Sequence, residues 1–261
     1  MKRIALGIEY LGANYCGFQR QHHCPTVQGH LEEALSSIAN EPVGLICAGR
    51  TDTGVNAVGQ VVHFEIQAER PIRAWLEGAN TKLPGDIRIS WAKEVPETFH
   101  ARFSAFARQY RYVIYNRRVN SAVLHQRTTW VKELLDVDRM HKAAQSLVGE
   151  HDFSSFRASA CQAQNAIRAI EYVSVTRKGD FIFIDLKANA FLHHMVRNIA
   201  GTLIKIGQDR APVDWVAELL VVKDRCQAGV TGPSDGLFFV NAFYPAEFEI
   251  PQVQLDEVLW Q

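Results

Sequence analysis

Twice along its length the chain runs strand, helix, strand, strand, helix, strand, and that order restricts the fold more than any other feature. In the first half "RIALGIEY" alternates as a strand. "TVQGHLEEALSSIAN" follows as a helix, with Val27, Leu31, Leu35 and Ile38 on one face and Thr26 as its N-cap. Strands "GLICAG" and "QVVHFEIQ", helix "RAWLEGANTKL", the turn "LPGD" and strand "DIRISWAKEV" complete the unit. The second half repeats it with strand "RQYRYVIYN", helix "DRMHKAAQSLVG", strands "IEYVSVTR" and "DFIFIDLKA", helix "HHMVRNIAGTLIKIG" and strand "GLFFVNAFY"; an extra helix, "PVDWVAELLVV", precedes the last strand. Each βαββαβ unit is a ferredoxin-like module whose helices cover one face of an antiparallel sheet. The expectation is an α+β protein of two such modules, 1–100 and 101–261, joined around a central cleft, with the uncovered sheet faces open to a ligand. The halves share pattern and not sequence.

Formal charge is zero, with 28 basic and 28 acidic residues, which alone argues against a polyanionic partner. The distribution reverses that. From Thr98 to Lys132 stand seven cations (Arg102, Arg108, Arg111, Arg117, Arg118, Arg127, Lys132) and no acid, interleaved with Phe103, Phe106, Tyr110, Tyr112 and Tyr115, while eight acids follow from Asp214 onward. Such a zone is either a solvated basic face or the footprint of a nucleic acid. A hydrophobic content of 47% suits a chain with a sizeable core. No apolar run is long enough to span a bilayer and "MKRIALGIEY" lacks the features of a signal peptide. The expected location is the cytoplasm, with no membrane partner. Five widely spaced cysteines without a C-x-x-C pair are read as free buried thiols.

The stretch "GRTDTG" sits between an apolar run and a strand. In extended chain, residues two apart point to one side, so Arg50 and Asp52 can share a face. A guanidinium there opposes the effect of lost hydration and keeps a carboxylate ionised, able to attack an electrophilic carbon. The plainer reading makes Asp52 and Gly54 a turn. A third, half of an aspartic-protease dyad, needs a second "DTG" or "DSG", and the sequence has none.

Tyr110 and Tyr112 share one strand face, either as a stacking platform for unpaired bases or as core. On the helix 193–207, Met195, Ile199, Leu203 and Ile206 form the core stripe; Arg197 lies on another face near Gly201 and wants a carboxylate partner. His193 and His194, being adjacent, cannot present one helix face to a metal. Without a phosphate-binding glycine loop or a metal motif, neither a nucleotide cofactor nor a metal is implied.

Eight segments, "GFQRQ", "AGRTDTGV", "LPGDI", "FHARFSA", "RQYRY", "DFSSFRA", "KANAFLHHMVRNI" and "GLFFV", occur in an order that resembles the tRNA pseudouridine synthase A family over essentially the whole chain. The resemblance implies that Asp52 is the nucleophile and that Arg50 helps fill the space left by an extruded uridine. It further implies that Tyr110 packs on the target base and assists proton removal, Arg197 ion-pairs with Asp52, Leu237 forms an apolar wall, and Phe99, His100, Arg102 and Phe103 lie in an RNA-contacting segment. The implied reaction turns uridine into pseudouridine in the anticodon stem-loop, at positions 38 to 40 of the tRNA, with base flipping and no cofactor. The implied partners are tRNA, not DNA, and a second copy of the chain in a homodimer. Where the family often has His, this chain has Asn56, which puts an RNA contact at that position in doubt. A non-catalytic RNA-binding module and an acid protease are the competing readings.

Overall fold

β1 (Lys2–Tyr10) and β3 (Asn56–Ile66) pair antiparallel from Lys2 opposite Ile66 to Ile8 opposite Gln60, and β4 (Ile87–Val95) lies on the other side of β1. These strands form the sheet of the first of two units in a computed structural model that describes residues 1–255. The units are Met1–Ala107 with Phe239–Gln261, and Arg108–Phe238. Residues 256–261, which end the expected 101–261 module and include Asp256 and Glu257, lie outside the described residues. The architecture is mixed α/β with few helices and mostly antiparallel strand pairing. Among the described residues no helix is long and apolar enough to cross a membrane.

In the first unit α1 (Val27–Ala39) forms where the period of apolar residues predicts it. Thr26 caps it by accepting the Gly29 N–H, and Asn40 ends it in the left-handed region at φ 59°. Val27, Leu31 and Leu35 are fully buried, each contributing about 1.5–3 kcal/mol of burial free energy. Glu32 on the same helix is buried too: Arg20 donates to it at 2.9 Å, and it accepts the Leu45 N–H at 3.0 Å, tying the incoming chain to the helix. A helical stretch over 72–80 contains a π-turn at Ala74–Gly78, and its Trp75 ring packs edge-on against Phe64.

The second unit holds β5 (Ala107–Asn116) from Arg108 on, β6 (Thr129–Val131), α2 (Val137–Ala144), β7 (Gly149–Asp152), β8 (Ile167–Lys178), β9 (Phe181–Ala188), α3 (Met195–Gly207) and α4 (Trp215–Val222). Its sheet order is β5-β9-β8-β7, all antiparallel, with β6 parallel to β5. The expected stripe of α3 is buried at Met195, Ile199, Leu203 and Ile206. β10 (Leu237–Phe243) crosses the unit boundary in sequence, and its Phe239–Phe243 part belongs to the first unit, next to β3.

Three local expectations change. The strand expected over 44–49 shrinks to β2 (Ile46–Cys47), because Leu45 gives its N–H to Glu32 and both backbone groups of Gly49 bond to the Gln60 side chain. The helix expected over 138–149 stops as an α-helix at Ala144, continues as a 3-10 turn to Leu147 and gives way to β7, with Gly149 at φ 104°. Cys16 and Cys24 are not free thiols: the Cys16 N–H donates to the Pro25 carbonyl, the chain folds back, and the two join in a disulfide with Cα atoms 6.2 Å apart. Of the others, Cys226 is exposed and Cys47 and Cys161 are half-buried.

His63 on β3 links this sheet to the segment beyond β4. Its Nδ1 accepts the Ala101 N–H at 3.1 Å, which requires a neutral ring with the proton on Nε2. Burial, reinforced by the charges of His100 and Arg3, lowers its pKa from 6.5 to about 4. Between those values the unfolded chain binds more protons, so stability falls as pH drops from about 6.5 to about 4. In denaturant melts across that window, His63→Gln, which cannot take up the proton, has a shallower decline than the wild type; equal slopes would contradict it. Leu35→Ala, at a fully buried site, costs about 2–5 kcal/mol in the same assay, and a loss below about 1 kcal/mol would show that α1 is not packed as described.

Candidate active site

Asp52 stands on the turn that leads from β2 into β3, and the backbone around it is held from several directions. Upstream, the Gln60 side chain, itself fully buried, donates to the Gly49 carbonyl at 2.6 Å and accepts the Gly49 N–H at 3.4 Å. One residue before Asp52, the buried Thr51 hydroxyl lies 2.7 Å from the Tyr10 hydroxyl, and the Thr51 carbonyl accepts the Phe18 N–H at 3.0 Å. Downstream, the Val55 N–H donates to the Asp52 carbonyl at 3.1 Å across a turn in which Gly54 takes φ 78°. Burial alternates along the loop: Arg50 is exposed, Thr51 buried, Asp52 half-buried, Thr53 exposed.

The segment 10–18 is wedged against this loop. A Cβ at Gly12 would collide with the Val55 carbonyl, and one at Gly17 would lie 2.6 Å from the Thr51 carbonyl oxygen, so both positions require glycine for close approach. Asn56, where an RNA contact was in doubt, is fully buried, and its Oδ1 accepts the Gly12 N–H at 2.8 Å. Its job here is to fix segment 10–18.

In the same unit the "FHARF" segment divides into an inner and an outer part. Phe99 is fully buried, with the rings of Tyr244, Phe248 and His63 5.0, 5.2 and 6.0 Å away, so it seats the segment from beneath and offers RNA no surface. His100 accepts the N–H groups of Arg102 and Phe103 on Nδ1, and its ring stacks on Phe103 at 4.4 Å. Phe103 is 76% exposed, with the Arg102 guanidinium 5.4 Å from its ring centre. An exposed ring beside a cation is the arrangement on which an unpaired base stacks.

The second unit holds the other expected residues. Tyr110 and Tyr112, alike in the sequence, differ in place. Tyr112 is fully buried; its hydroxyl lies 2.6 Å from that of Thr129 and donates to the Pro233 carbonyl at 2.9 Å. Tyr110 lies at the edge of burial, 9% exposed, with the Phe191 ring edge-on at 4.9 Å. On the opposite strand face Arg111 makes a bidentate pair with Asp185 at 2.8 and 3.0 Å above the Phe183 ring. Burial raises the Asp185 carboxyl and the guanidinium opposes it.

Arg197, in the first turn of α3, is fixed at two points by one residue: its Nε donates to the Gly232 carbonyl at 2.8 Å, and its carbonyl accepts the Gly232 N–H at 2.9 Å. A Cβ at Gly232 would lie 2.7 Å from the Tyr112 hydroxyl. Leu237 is buried at the start of β10, its N–H on the Ser234 carbonyl. Tyr10, Gln60 and Gly232 belong to no sequence motif that marks a site, and Thr51 stands in one only beside Asp52. The available signal was a polar residue at a position where the strand pattern requires an apolar one, as at Gln60.

A family model described as tRNA pseudouridine synthase matches residues 7–104 and 143–245. The chain is 62% identical over 261 residues to tRNA pseudouridine synthase A of Hydrogenovibrio crunogenus, covering 100% of both chains. It is 57% identical to that of Pseudoalteromonas atlantica, over 97% of this chain and 96% of the relative, and 55% identical to that of Cronobacter sakazakii, over 96% and 93%. The chain belongs to the tRNA pseudouridine synthase family, and its activity is the isomerisation of uridine in tRNA.

Proposed function

We propose that Asp52 is the nucleophile of this isomerisation and that the substrate is a uridine of the anticodon stem-loop flipped out of its helix. The observation that carries this is a carboxylate only half-buried on a loop whose flanking backbone is fastened by buried side chains, which is what a group that must meet a substrate at a fixed place requires. Flipping costs on the order of a few kcal/mol, which stacking and backbone contacts must offset. The exposed Phe103 with Arg102 and His100 supports an RNA contact in the first unit.

Asp52 attacks either the anomeric carbon or C6 of the ring. In both cases the N1–C1′ bond breaks, the uracil turns while enclosed, a C5–C1′ bond forms, the C5 proton leaves and N1 ends protonated. The reaction is balanced with no co-substrate, so the expected set is protein and tRNA alone. Tyr110 packs on the base and assists removal of the C5 proton, Arg197 is the ion partner of Asp52, Leu237 bounds the pocket and Arg50 occupies the vacated stack. The reading includes two ferredoxin-like modules, 1–100 and 101–261, meeting at a cleft, and a cytoplasmic homodimer. The antiparallel flanking of β1 by β3 and β4, and of β9 by β5 and β8, supports the modular part.

Asp52→Asn retains tRNA binding and forms no pseudouridine in single-turnover assays on unmodified transcripts; product at the wild-type rate would reject the nucleophile. In that inactive background Phe103→Ala weakens tRNA binding by about 1–3 kcal/mol, roughly 5- to 150-fold in Kd. An unchanged Kd would remove Phe103 from the RNA surface.

A further inference from the structure

Tyr10 ends β1, is buried, and has no place in the reaction proposed above. Burial pushes its phenol far above the ordinary range, so it stays protonated at any working pH. Its hydroxyl meets the Thr51 hydroxyl at 2.7 Å, immediately before Asp52, and the Gln60 side chain lies near it. Gln60 in turn holds both backbone groups of Gly49. The phenol is thus the partner of the side chain next to Asp52, and the register that puts Ile8 opposite Gln60 and Tyr10 opposite Ala57 sets it at the same end of the β1–β3 pair as Gln60.

We propose that Tyr10 is a positioning residue for the isomerisation: through the Thr51 hydroxyl it sets where the Asp52 carboxylate stands, without touching the substrate. The inference rests on Asp52 as nucleophile. Thr51 and Asp52 are adjacent, so any rotation of Thr51 about the backbone re-aims the next side chain. With the Phe18 N–H on the Thr51 carbonyl and the Tyr10 hydroxyl on its side chain, Thr51 is held at both its backbone and its side-chain end. Losing the hydroxyl contact leaves the backbone bond intact, so the chain folds while the loop gains freedom next to the carboxylate. A nucleophile displaced by a fraction of a bond length lowers kcat, whereas tRNA binding, supported elsewhere, stays put.

The test is a double-mutant cycle with Tyr10→Phe and Thr51→Val, each of which removes one hydroxyl with little change of shape. Each single variant loses roughly 10- to 100-fold in kcat, with KM and tRNA Kd within about twofold of wild type. The double variant loses no more than the worse single one, and Thr51→Ser, which keeps the hydroxyl, recovers most of the rate. Melting temperatures are read alongside, and if Tyr10→Phe does not fold, the Thr51→Val and Thr51→Ser pair decides. Wild-type kcat in the single variants, losses that multiply in the double, or a loss seen in KM and not in kcat would each overturn the positioning role. Asp52→Asn run in parallel separates the two claims. An inactive Asp52→Asn beside fully active Tyr10→Phe and Thr51→Val sinks only the role of Tyr10, and an active Asp52→Asn sinks the nucleophile.

Discussion

A carboxylate on a turn is only as well placed as the backbone that carries it, and here that backbone is fixed by hydrogen bonds from side chains buried in β1 and β3. Gly49, Thr51 and Asp52 would otherwise present polar groups that neither the two-residue strand β2 nor the start of β3 can satisfy. Gln60 supplies both partners of Gly49, Phe18 and Tyr10 those of Thr51, and Val55 that of the Asp52 carbonyl. Because Gly12 and Gly17 lie hard against the same loop, a shift of segment 10–18 is a shift of the loop. The chemistry proposed for Asp52 thus rests on side chains that are themselves buried.

The second unit shows the same arrangement around Arg197. Gly232 holds its guanidinium and its carbonyl, the Tyr112 hydroxyl bonds to the neighbouring Pro233 carbonyl, and Thr129 completes the chain of contacts. Further along α3, Asn198 accepts from Arg225 and Thr231, tying the stretch before Gly232 to the helix. Here the two tyrosines of "RQYRY" differ: the ring of Tyr112 is core and its hydroxyl is a strut, while Tyr110, 9% exposed, packs against the edge-on ring of Phe191.

How far the sequence can be read follows from where the determining forces act. α1 is legible because its cap, its apolar period and its burial all lie within one stretch of chain; α3 is legible from its apolar period, but begins only at Met195, since His194 before it is left-handed at φ 60° and caps nothing with its side chain. β7 is not, since its pairing with β8 decides it, and β2 is legible as a strand but not in its length, which the bonds of Leu45 and Gly49 cut short. Asp52, Arg50 and Arg197 stand out as residue types whose charge needs explaining. Phe99 and Phe103, four apart in one motif, look alike in sequence, and only the placement of Tyr244 and Phe248 buries the first while the second is left exposed. The Cys16–Cys24 disulfide was hidden because its geometry comes from the fold-back at Pro25, which the spacing alone does not reveal. Tyr10 and Gln60 were hidden for the opposite reason: they are unremarkable strand residues until the loop they hold is in view.

Position, and not charge alone, is what this architecture provides at residue 52. The most direct measurement is the single-turnover rate of Asp52→Glu, which keeps the carboxylate and its charge but moves it outward by one methylene from the fastened backbone. A loss of roughly a hundredfold or more, with tRNA binding unchanged, is the result expected of a nucleophile held at one place. A rate close to that of the wild type would contradict the account, because the carboxylate would then be indifferent to the loop that holds it.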